Sequence, residues 1–556
     1  MKKVLGCLGY GLLLLFVTAA AVFGVYAYRK YMPTKELADM DSLYGTKRDD
    51  GVLIYFNYER QEAEGRLLDG KVYLPVSWVN ENLNERFYHD AREHLLLYAL
   101  PEFVEKSGTD ARDSEGGPVF VEEGEDTWLS LAETERHTDL RTRCYLEDGY
   151  PRVYIENTKN AFTAASVKKD TPVRVRGGVK SPVITTVPKE GEVIVLESLE
   201  NWAEVVTPDG CIGYLQMKRL EDFRNEEPVS TFEEPVYSHI SLDSKIILAW
   251  HQVTITAANT FIGDLLGKTK GVNVVSPTWF ALKGNEGDYV SYAERSYVER
   301  MHSRGIQVWA LVDNFGHDFS SDVDVEEILS RTSVREKLTE SLVRDAEELG
   351  IDGINLDFEM LPSSAGVHYI QFIREMSVAC RKAGLILSVD NYVPASYNDF
   401  YNIREQGIVA DYVILMGYDE HYAGGEAGSV SSIGYVRNAI KDALEEIPKE
   451  RVICGVPFYT RLWTEKGEST TSETAGIAAA KEWIARHNVE MEWDDTCGQY
   501  YGSIGTEDSL TELWQEEERS LALKMQAIKE ADIAGVAGWK LGMDSPEIWD
   551  SLQWDN

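Results

Sequence analysis

The sequence is poor in cysteine, in histidine and in basic residues. Its six cysteines lie far apart and form no Cys-x-x-Cys pair, and none of the ten histidines stands in a His-Glu-x-x-His pattern. These gaps argue against a zinc site and a dense disulfide framework, so we expect no metal and no cofactor. With 55 basic and 93 acidic residues, the formal charge of −38 argues against nucleic acid as the main partner. A neutral polymer such as a glycan fits better.

Long hydrophobic runs are also scarce, and the longest one lies at the N-terminus. Residues 4–28 carry no charge and are long enough to cross a bilayer core of ~30 Å as a helix. The run continues well past the alanines at 19–21, a weak cleavage site, so the sequence favours an uncleaved transmembrane anchor. Long domains are translocated largely regardless of flanking charge. We therefore expect a single-pass protein of the cell membrane whose large domain faces a Gram-positive-type cell envelope.

A polar tether over 29–50 precedes a predicted α+β domain over 51–165. Val52, Ile54 and Phe56 alternate as a strand, and a second strand near residue 72 leads into a short helix near residue 78. A weaker copy of this pattern starts near residue 127 and closes with a strand near 152. These paired units resemble the copper amine oxidase N-terminal-like repeat, a name that implies no copper here. A structural spacer and a glycan-binding module both remain open as its role.

Residues 171–222 predict a small β-barrel, because five short strands fall within about fifty residues. Pro208, Asp209 and Gly210 supply one of the turns between them. The layout resembles bacterial Src-homology-3-like domains, a resemblance that implies binding to cell-wall peptides. Trp202 and Tyr214 are candidates for ligand platforms or for the core of the barrel. The acidic stretch over 223–244, which contains two prolines, is the expected linker.

From residue 245 to 556, apolar strands alternate with amphipathic helices. Eight strands are predicted, at 246–250, 272–276, 307–312, 353–358, 385–389, 412–416, 452–456 and 535–539, with helices that include 333–349, 367–383, 434–447 and 514–531. Eight such units predict an α/β fold, a (β/α)₈ barrel whose active site collects at the C-terminal strand ends. A helix over 475–487 and the strands after it predict a small α/β insertion between strands seven and eight.

The most informative stretch is 352–359, where polar and large apolar residues alternate. With a side-chain period of two, Asn355, Asp357 and Glu359 point to one face of predicted strand four. Carboxylates that converge inside a sheet carry a desolvation cost unless they have a partner or a use. These three residues are therefore candidate site residues, and the structural alternative is a hydrogen-bonded carboxylate pair without chemistry.

This octet matches the motif D-G-x-D-x-D-x-E of glycoside hydrolase family 18, the chitinase-like enzymes, with Asn355 at the second acidic position. Met416, Tyr418 and Asp419 after strand six resemble the family's Met-x-Tyr-Asp, whose Tyr and Asp contact the substrate acetamido group. Trp539 stands where the family places the Trp that floors the sugar at the cleavage point.

The segments that contain Trp279, after strand two, and Tyr459, after strand seven, resemble the subgroup of spore-cortex glucosaminidases. We therefore expect Trp279 and Tyr459 to bind the substrate, together with Asn355, Met416, Asp419 and Trp539. The resemblance implies a retaining glycosidase in which the substrate's own N-acetyl oxygen attacks, as an exception to the use of a second carboxylate as nucleophile. Glu359 would act as acid and then base, Asp357 would orient the acetamido group, and Tyr418 would hydrogen-bond its oxygen.

The implied reaction is hydrolysis of β-1,4 bonds after N-acetylglucosamine in cell-wall or spore-cortex peptidoglycan. The alternatives are a chitinase, an N-glycan-cleaving glycanase and a non-catalytic glycan-binding barrel. One departure from the motif matters, because Asn355 removes a like charge beside Asp357. We expect Asp357 to be ionised and to accept a hydrogen bond from Asn355. We also expect the enzyme to remain active, with an altered acid limb of its pH profile.

Overall fold

The structure, a computed structural model, describes residues 2–315 and 323–554, with the backbone alone for residues 2–10. Its contacts divide the chain into two units. The first comprises Met1–Phe87 and Thr109–Glu234, and the second comprises Tyr88–Gly108 and Pro235–Asn556. Both units are thus discontinuous in sequence.

The first unit begins with a long apolar helix, Lys2–Tyr31, followed by the short helix Met40–Tyr44. Its span Gly11–Tyr31 has a mean hydropathy of 2.0 and is long and apolar enough to cross a membrane. The same properties suit a signal sequence near the N-terminus. An apolar N-terminal helix is therefore present, and its use as an uncleaved anchor stays a prediction.

A mixed seven-stranded sheet follows in the first unit. Its order is Phe120–Glu123, Asp126–Ser130, Lys71–Pro75, Glu59–Leu68, Gly51–Phe56, Arg152–Asn157 and Leu140–Tyr145. The pairing of Gly51–Phe56 with Arg152–Asn157 is parallel, and the other pairings are antiparallel. Helix Val76–Asn82 follows the third strand, and helix Leu131–His137 follows Asp126–Ser130. Both predicted strand-helix units are therefore present, and the resemblance to a named repeat stays a prediction.

The second sheet of this unit is antiparallel and also has seven strands. Their order is Val183–Val187, Thr171–Arg174, Ile212–Gln216, Trp202–Val206, Glu192–Ser198, Phe162–Val167 and Leu220–Glu226, with a 3₁₀ turn at Met217–Arg219. The five predicted strands are among them. The two remaining strands extend the sheet beyond the predicted limits of 171 and 222, so the start of the predicted linker is a strand. Trp202 and Tyr214 are both half-buried on neighbouring strands.

The second unit contains a closed barrel of eight parallel strands. Barrel strands one to eight are Ile246–His251, Val274–Lys283, Gln307–Asp313, Gly353–Asp357, Ile386–Tyr392, Tyr412–Met416, Val452–Pro457 and Gly535–Trp539. Strand one pairs with both strand two and strand eight, which closes the sheet on itself. The short strand Asp288–Ser291 pairs with the end of strand two. The predicted (β/α)₈ fold is confirmed.

Helices surround this barrel and bury one face each against it. They are Ile262–Leu266, Arg295–His302, Val325–Leu329, Thr332–Leu349, Gly366–Ala383, Ile403–Val409, Ile433–Leu444, Glu518–Glu530 and Ile548–Ser551, with 3₁₀ turns at Thr256–Phe261, Ser363–Ala365, Asp399–Tyr401 and Lys449–Arg451. Leu338, Leu342 and Ala346 recur every four residues and are fully buried, as an amphipathic helix requires. Gly350, with φ of 75°, then ends that helix in the left-handed conformation that favours glycine.

The insertion between strands seven and eight is larger than predicted. It holds a five-stranded antiparallel sheet in the order Ser469–Gly476, Tyr459–Lys466, Leu510–Gln515, Gln499–Gly505 and Met491–Asp494, with the helix Ile477–His487. The predicted helix over 514–531 is wrong at its start, because Leu510–Gln515 is a strand of this sheet. The helix begins after Glu517, whose carboxylate accepts the Ser520 N–H in a capping box.

Residues 88–108 belong to the barrel unit, although they lie in the middle of the predicted domain over 51–165. They contribute to a three-stranded sheet of Phe87–Asp90, Leu95–Ala99 and Val104–Gly108. The Asp90 carboxylate accepts hydrogen bonds from the backbone N–H and the hydroxyl of Thr332, at 2.7 and 2.6 Å. It thereby satisfies a free donor at the start of a barrel helix. The predicted domain is interrupted here because this segment packs on the barrel.

Candidate active site

A cavity of about 560 Å³ lies at the C-terminal ends of the barrel strands. Six of the nine predicted site residues line it, namely Asp357, Glu359, Met416, Tyr418, Asp419 and Trp539. The barrel brings these residues together because the parallel strands all end at the same rim. The remaining three, Asn355, Trp279 and Tyr459, lie elsewhere.

Strand four places the two central carboxyl groups. Ile354, Leu356 and Phe358 point outward into the core beneath the helices, so Asp357 and Glu359 point inward. Asn314, after strand three, then fixes the backbone of Glu359. Its side chain accepts the Glu359 N–H at 2.8 Å and donates to the Glu359 carbonyl at 2.8 Å.

Burial dominates the electrostatics of these carboxyl groups. Asp357 is 7% exposed, and its Oδ1 has no hydrogen-bond partner among the described residues. Burial raises the pKa of Asp357 well above its ordinary value, and the nearby Glu359, Asp390 and Asp313 raise it further. Burial also raises the pKa of Glu359, while a hydrogen bond from the Tyr392 hydroxyl acts in the opposite direction. Both carboxyl groups are therefore biased toward holding a proton.

Asn355 lies behind the cavity with 0% of its surface exposed. Its Oδ1 accepts hydrogen bonds from Trp250 Nε1 at 3.1 Å and Ser276 Oγ at 2.9 Å, and its Nδ2 donates to Asp390 Oδ1 at 2.8 Å. The expected donation to Asp357 is thus wrong. The expected preference of Asp357 for the ionised form is opposed as well, because burial raises its pKa and the nearby Glu359 and Asp390 add like charges that the loss of an acidic residue at 355 does not remove.

Sequence reasoning missed several residues that line the cavity, and four of them, Trp250, Asp313, Asp390 and Tyr392, matter for its chemistry. Burial and the nearby Glu359 raise the pKa of Asp313 to about 6. A signal was available for each, because all four stand at or just past the predicted ends of strands one, three and five. Strand ends at this rim are the positions from which such barrels draw site residues.

Aromatic residues form one wall of the cavity. The Trp250 ring packs edge-on against Trp539 and Tyr418, with ring centroids 5.8 and 6.4 Å away. Gly455 on strand seven permits this packing, because a Cβ there would lie 3.1 Å from the Tyr418 ring and 2.9 Å from the Leu415 carbonyl oxygen. The ring of Trp539 is partly exposed to the cavity, where it can support a sugar.

Tyr459 and Trp279, the two remaining predicted substrate contacts, do not line the cavity. The Tyr459 hydroxyl donates to Asp419 Oδ1 at 2.6 Å, so Tyr459 supports a residue that lines the cavity. Trp279 is 0% exposed, and its Nε1 donates to Asn259 Oδ1 at 2.9 Å within the outer core. We therefore correct the assignment of Trp279 as a substrate contact: it is a core residue.

Comparison with known proteins agrees with this site. Residues 279–544 match the model of Glycosyl hydrolases family 18. An uncharacterized glycosylase of Bacillus subtilis, YvbX, is 26% identical over 294 residues, which are 51% of this chain and 84% of that protein. The cortical fragment-lytic enzyme of Bacillus subtilis is 27% identical over 256 residues, 44% of this chain and 59% of that enzyme. The chain thus spans less than two thirds of this second relative.

A chitinase from Chromobacterium violaceum shares the fold. The two structures superpose with a TM-score of 0.50 at 20% sequence identity, over 56% of this chain and 98% of the chitinase. Residues 279–544, which match the family, include strand four with its carboxyl groups and most of the residues that line the cavity. The barrel thus matches glycosyl hydrolases family 18 over residues 279–544, and the protein is a glycoside hydrolase.

Proposed function

We propose that the barrel cleaves β-1,4 bonds after N-acetylglucosamine in cell-wall or spore-cortex peptidoglycan, with retention of configuration. The observation that carries this proposal is the buried Asp357 Oδ1, which has no partner among the described residues and lies in the same cavity as Glu359. A buried acceptor without a donor costs free energy. The N–H of a substrate acetamido group would supply that donor, and it would hold the group ready for attack.

The reaction would proceed in two steps. Glu359 first donates its proton to the glycosidic oxygen, while the acetamido oxygen bonds to the anomeric carbon as the bond to the leaving sugar breaks. Water then attacks the anomeric carbon, Glu359 accepts a proton from that water, and the acetamido group is released. Burial favours the protonated form of Glu359, which the first step needs near neutral pH. Tyr418 would donate a hydrogen bond to the acetamido oxygen.

The other cavity residues would bind the sugar. Trp539 would stack on the ring at the cleavage point, with Trp250 fixing its orientation from behind. Asp419, held by Tyr459, would accept hydrogen bonds from the sugar or its acetamido group. Met416 would contribute an apolar contact. Asn355 acts from behind the cavity rather than on the substrate.

The choice of peptidoglycan rests on the similar cortical fragment-lytic enzyme and on the N-terminal helix. If that helix is an anchor, the barrel would be held at the outer face of the membrane, beside the wall. The two sheets of the first unit would then be wall-binding or spacer modules.

The test uses the full chain in detergent, as wild type, Glu359→Gln and the control Glu468→Gln, which changes an exposed carboxyl in a hairpin turn of the insertion. Each protein is incubated with de-cross-linked peptidoglycan fragments, spore-cortex fragments and chitin oligomers, and new reducing ends are identified by mass spectrometry. We expect N-acetylglucosamine at the new ends of wall or cortex fragments, abolished by Glu359→Gln alone.

Other outcomes separate the alternatives. Cleavage of chitin oligomers alone would keep the mechanism and refute the wall substrate. Binding of fragments without cleavage by the wild type would indicate a glycan-binding barrel. Equal activity of wild type and Glu359→Gln would refute the role of Glu359.

A further inference from the structure

Asn355 and Asp390 form a buried pair inside the barrel. Strands four and five are neighbours, and the Asn355 amide donates to the Asp390 carboxylate at 2.8 Å. The two side chains are 0% and 2% exposed. Asp390 also lines the cavity. A carboxylate in such a position carries a large desolvation cost, so its presence needs a reason.

The donors around Asn355 fix the orientation of its amide. Trp250 and Ser276 both donate to Oδ1, and the Trp250 indole N–H can only donate, so it needs the amide oxygen as its partner. The amide nitrogen must therefore face Asp390. A contact of 2.8 Å between two such groups requires one donor and one acceptor. Asn at 355 with Asp at 390 meets this requirement, and so would Asp at 355 with Asn at 390.

We propose that Asp390 is a positioning residue whose carboxylate, held by Asn355, sets the protonation of Asp357 and Glu359, so that positions 355 and 390 act as one unit with one negative charge. The inference rests on the proposed roles of Asp357 and Glu359 as the reacting carboxyl groups. It explains how the barrel tolerates Asn at the second acidic position of the motif, because the charge has moved to the adjacent strand.

The groups around the pair come from several elements. Those that interact electrostatically with Asp357 or Asp390 are Asp313, Glu359, Tyr369, Tyr401 and Tyr418. Among the described residues, none of the groups that shift the pKa of these two carboxyls is a cation. Burial raises the pKa of Asp390 as well, and the hydrogen bonds from Asn355 and Trp250 act in the opposite direction, toward the carboxylate form that the proposal requires. The negative charge of that form has no cation beside it among the described groups, so it acts on the reacting carboxyl groups at low effective dielectric.

The direction of the effect follows from the charges. A neighbouring negative charge raises the pKa of a carboxyl group. Asp390→Asn keeps an oxygen that can accept from Asn355 and removes only the charge. Both limbs of the pH profile of kcat/KM should then move to lower pH. The expected displacement is about one pH unit, the order of the effect of one neighbouring charge in a buried site. Activity on the alkaline side should fall about tenfold at a fixed pH.

The experiment compares full-length variants in detergent on the substrate that the wild type cleaves. We measure the pH profiles of kcat/KM for wild type, Asp390→Asn and the exchange variant Asn355→Asp/Asp390→Asn. The exchange restores one carboxylate and one amide, so both limbs should return to within a few tenths of a pH unit of wild type. Asp411→Asn is the matched control, because Asp411 is a buried carboxyl at the opposite end of the barrel that accepts backbone N–H groups.

Three results would overturn the inference. Limbs that stay at the wild-type pH in Asp390→Asn would show that its charge does not act on the site. Limbs that move in the exchange variant as they do in Asp390→Asn would show that the two positions are not one unit. An equal displacement in Asp411→Asn would show a general effect of losing a buried carboxyl.

If Asp390→Asn does not fold, Asn355→Asp alone takes its place. The two carboxyl groups would then have to share a proton across their contact, which keeps the charge of the unit at one. Limbs within a few tenths of a pH unit of wild type are expected, and a shift upward by a full unit overturns the inference. Activity that survives in Glu359→Gln would remove the proposed function and this inference with it, whereas loss of activity there with unmoved limbs in Asp390→Asn removes the inference alone.

Discussion

Breaking the buried ion pair between Arg335 and Glu375 should destabilise the barrel unit strongly. The Arg335 side chain is 0% exposed, and its guanidinium donates to both Glu375 oxygens at 2.9 and 3.0 Å. It also donates to the Leu329 carbonyl at 2.7 Å, the Tyr88 hydroxyl at 3.2 Å and the Thr332 hydroxyl at 3.0 Å. All five of its N–H groups thus have acceptors. Glu375→Leu leaves a buried guanidinium without its counter-ion.

The cost of removing one partner of such a pair is about 3–5 kcal/mol. The barrel unit, Tyr88–Gly108 with Pro235–Asn556, has roughly 340 residues. Its entropy of unfolding is therefore about 0.7 kcal/mol/K, and Glu375→Leu should lower its Tm by about 4–7 °C. The double variant Arg335→Met/Glu375→Leu should recover most of this loss, because apolar side chains of similar volume replace a buried ion pair at little or no cost.

Differential scanning calorimetry of the full chain measures these shifts, with the barrel transition identified by simultaneous loss of glycosidase activity. The two single variants and the double variant form a mutant cycle that isolates the coupling between the two side chains. A decrease in Tm of less than 1 °C in Glu375→Leu would refute the cost assigned to the unpaired charge. Additive losses in the double variant would refute the coupling.

Three further predictions concern the cavity. Tyr392→Phe removes a hydroxyl whose hydrogen bond lowers the pKa of Glu359, so the alkaline limb of the pH profile of kcat should move to higher pH; an unmoved limb would contradict this. Burial raises the pKa of Asp313 to about 6, so the folded barrel loses stability as pH rises from about 4 to about 6. In calorimetry, Asp313→Asn should therefore raise the Tm by about 1–3 °C at pH 7 and leave it unchanged at pH 4. Trp539→Ala should lower kcat/KM by about 10- to 100-fold through lost stacking while Tm changes little, and an unchanged kcat/KM would exclude Trp539 from the sugar site.

The barrel was predictable because its signals are local. Apolar strands bounded by amphipathic helices set the positions of the barrel strands to within a few residues, except for the end of strand two, which was predicted at 276 and lies at Lys283. Strands three and five were predicted to end at 312 and 389, each one residue before an acidic residue. In the structure both strands run further, and Asp313 and Asp390 continue them into the cavity. At the C-terminal rim of a barrel, a polar residue after an apolar strand therefore indicates a site residue and does not by itself end the strand.

Pairings between distant segments could not be predicted from local patterns. The motif placed Asn355 beside Asp357 in sequence, and the expected hydrogen bond followed from that proximity. The partner of Asn355 in the structure is Asp390, 35 residues further along the chain. Trp279 shows the same limit, because an aromatic residue just past a predicted strand end can face either the cavity or the helices. Only the register of strand two, which runs on to Lys283, decides between them.

The segment from Tyr88 to Gly108 has a consequence for how the chain is synthesised and divided. Asp90 caps a barrel helix at Thr332, 242 residues later. At translation rates of ~5–20 residues per second, the segment leaves the ribosome roughly 10–50 seconds before that helix exists. Leu96, Leu97 and Tyr98, which are buried in the finished fold, must stay protected from aggregation during this time. Recombination at the linker near residue 235 would separate the barrel from the strands Leu95–Ala99 and Val104–Gly108 of its own unit, so the boundary that the sequence suggests does not delimit the catalytic module.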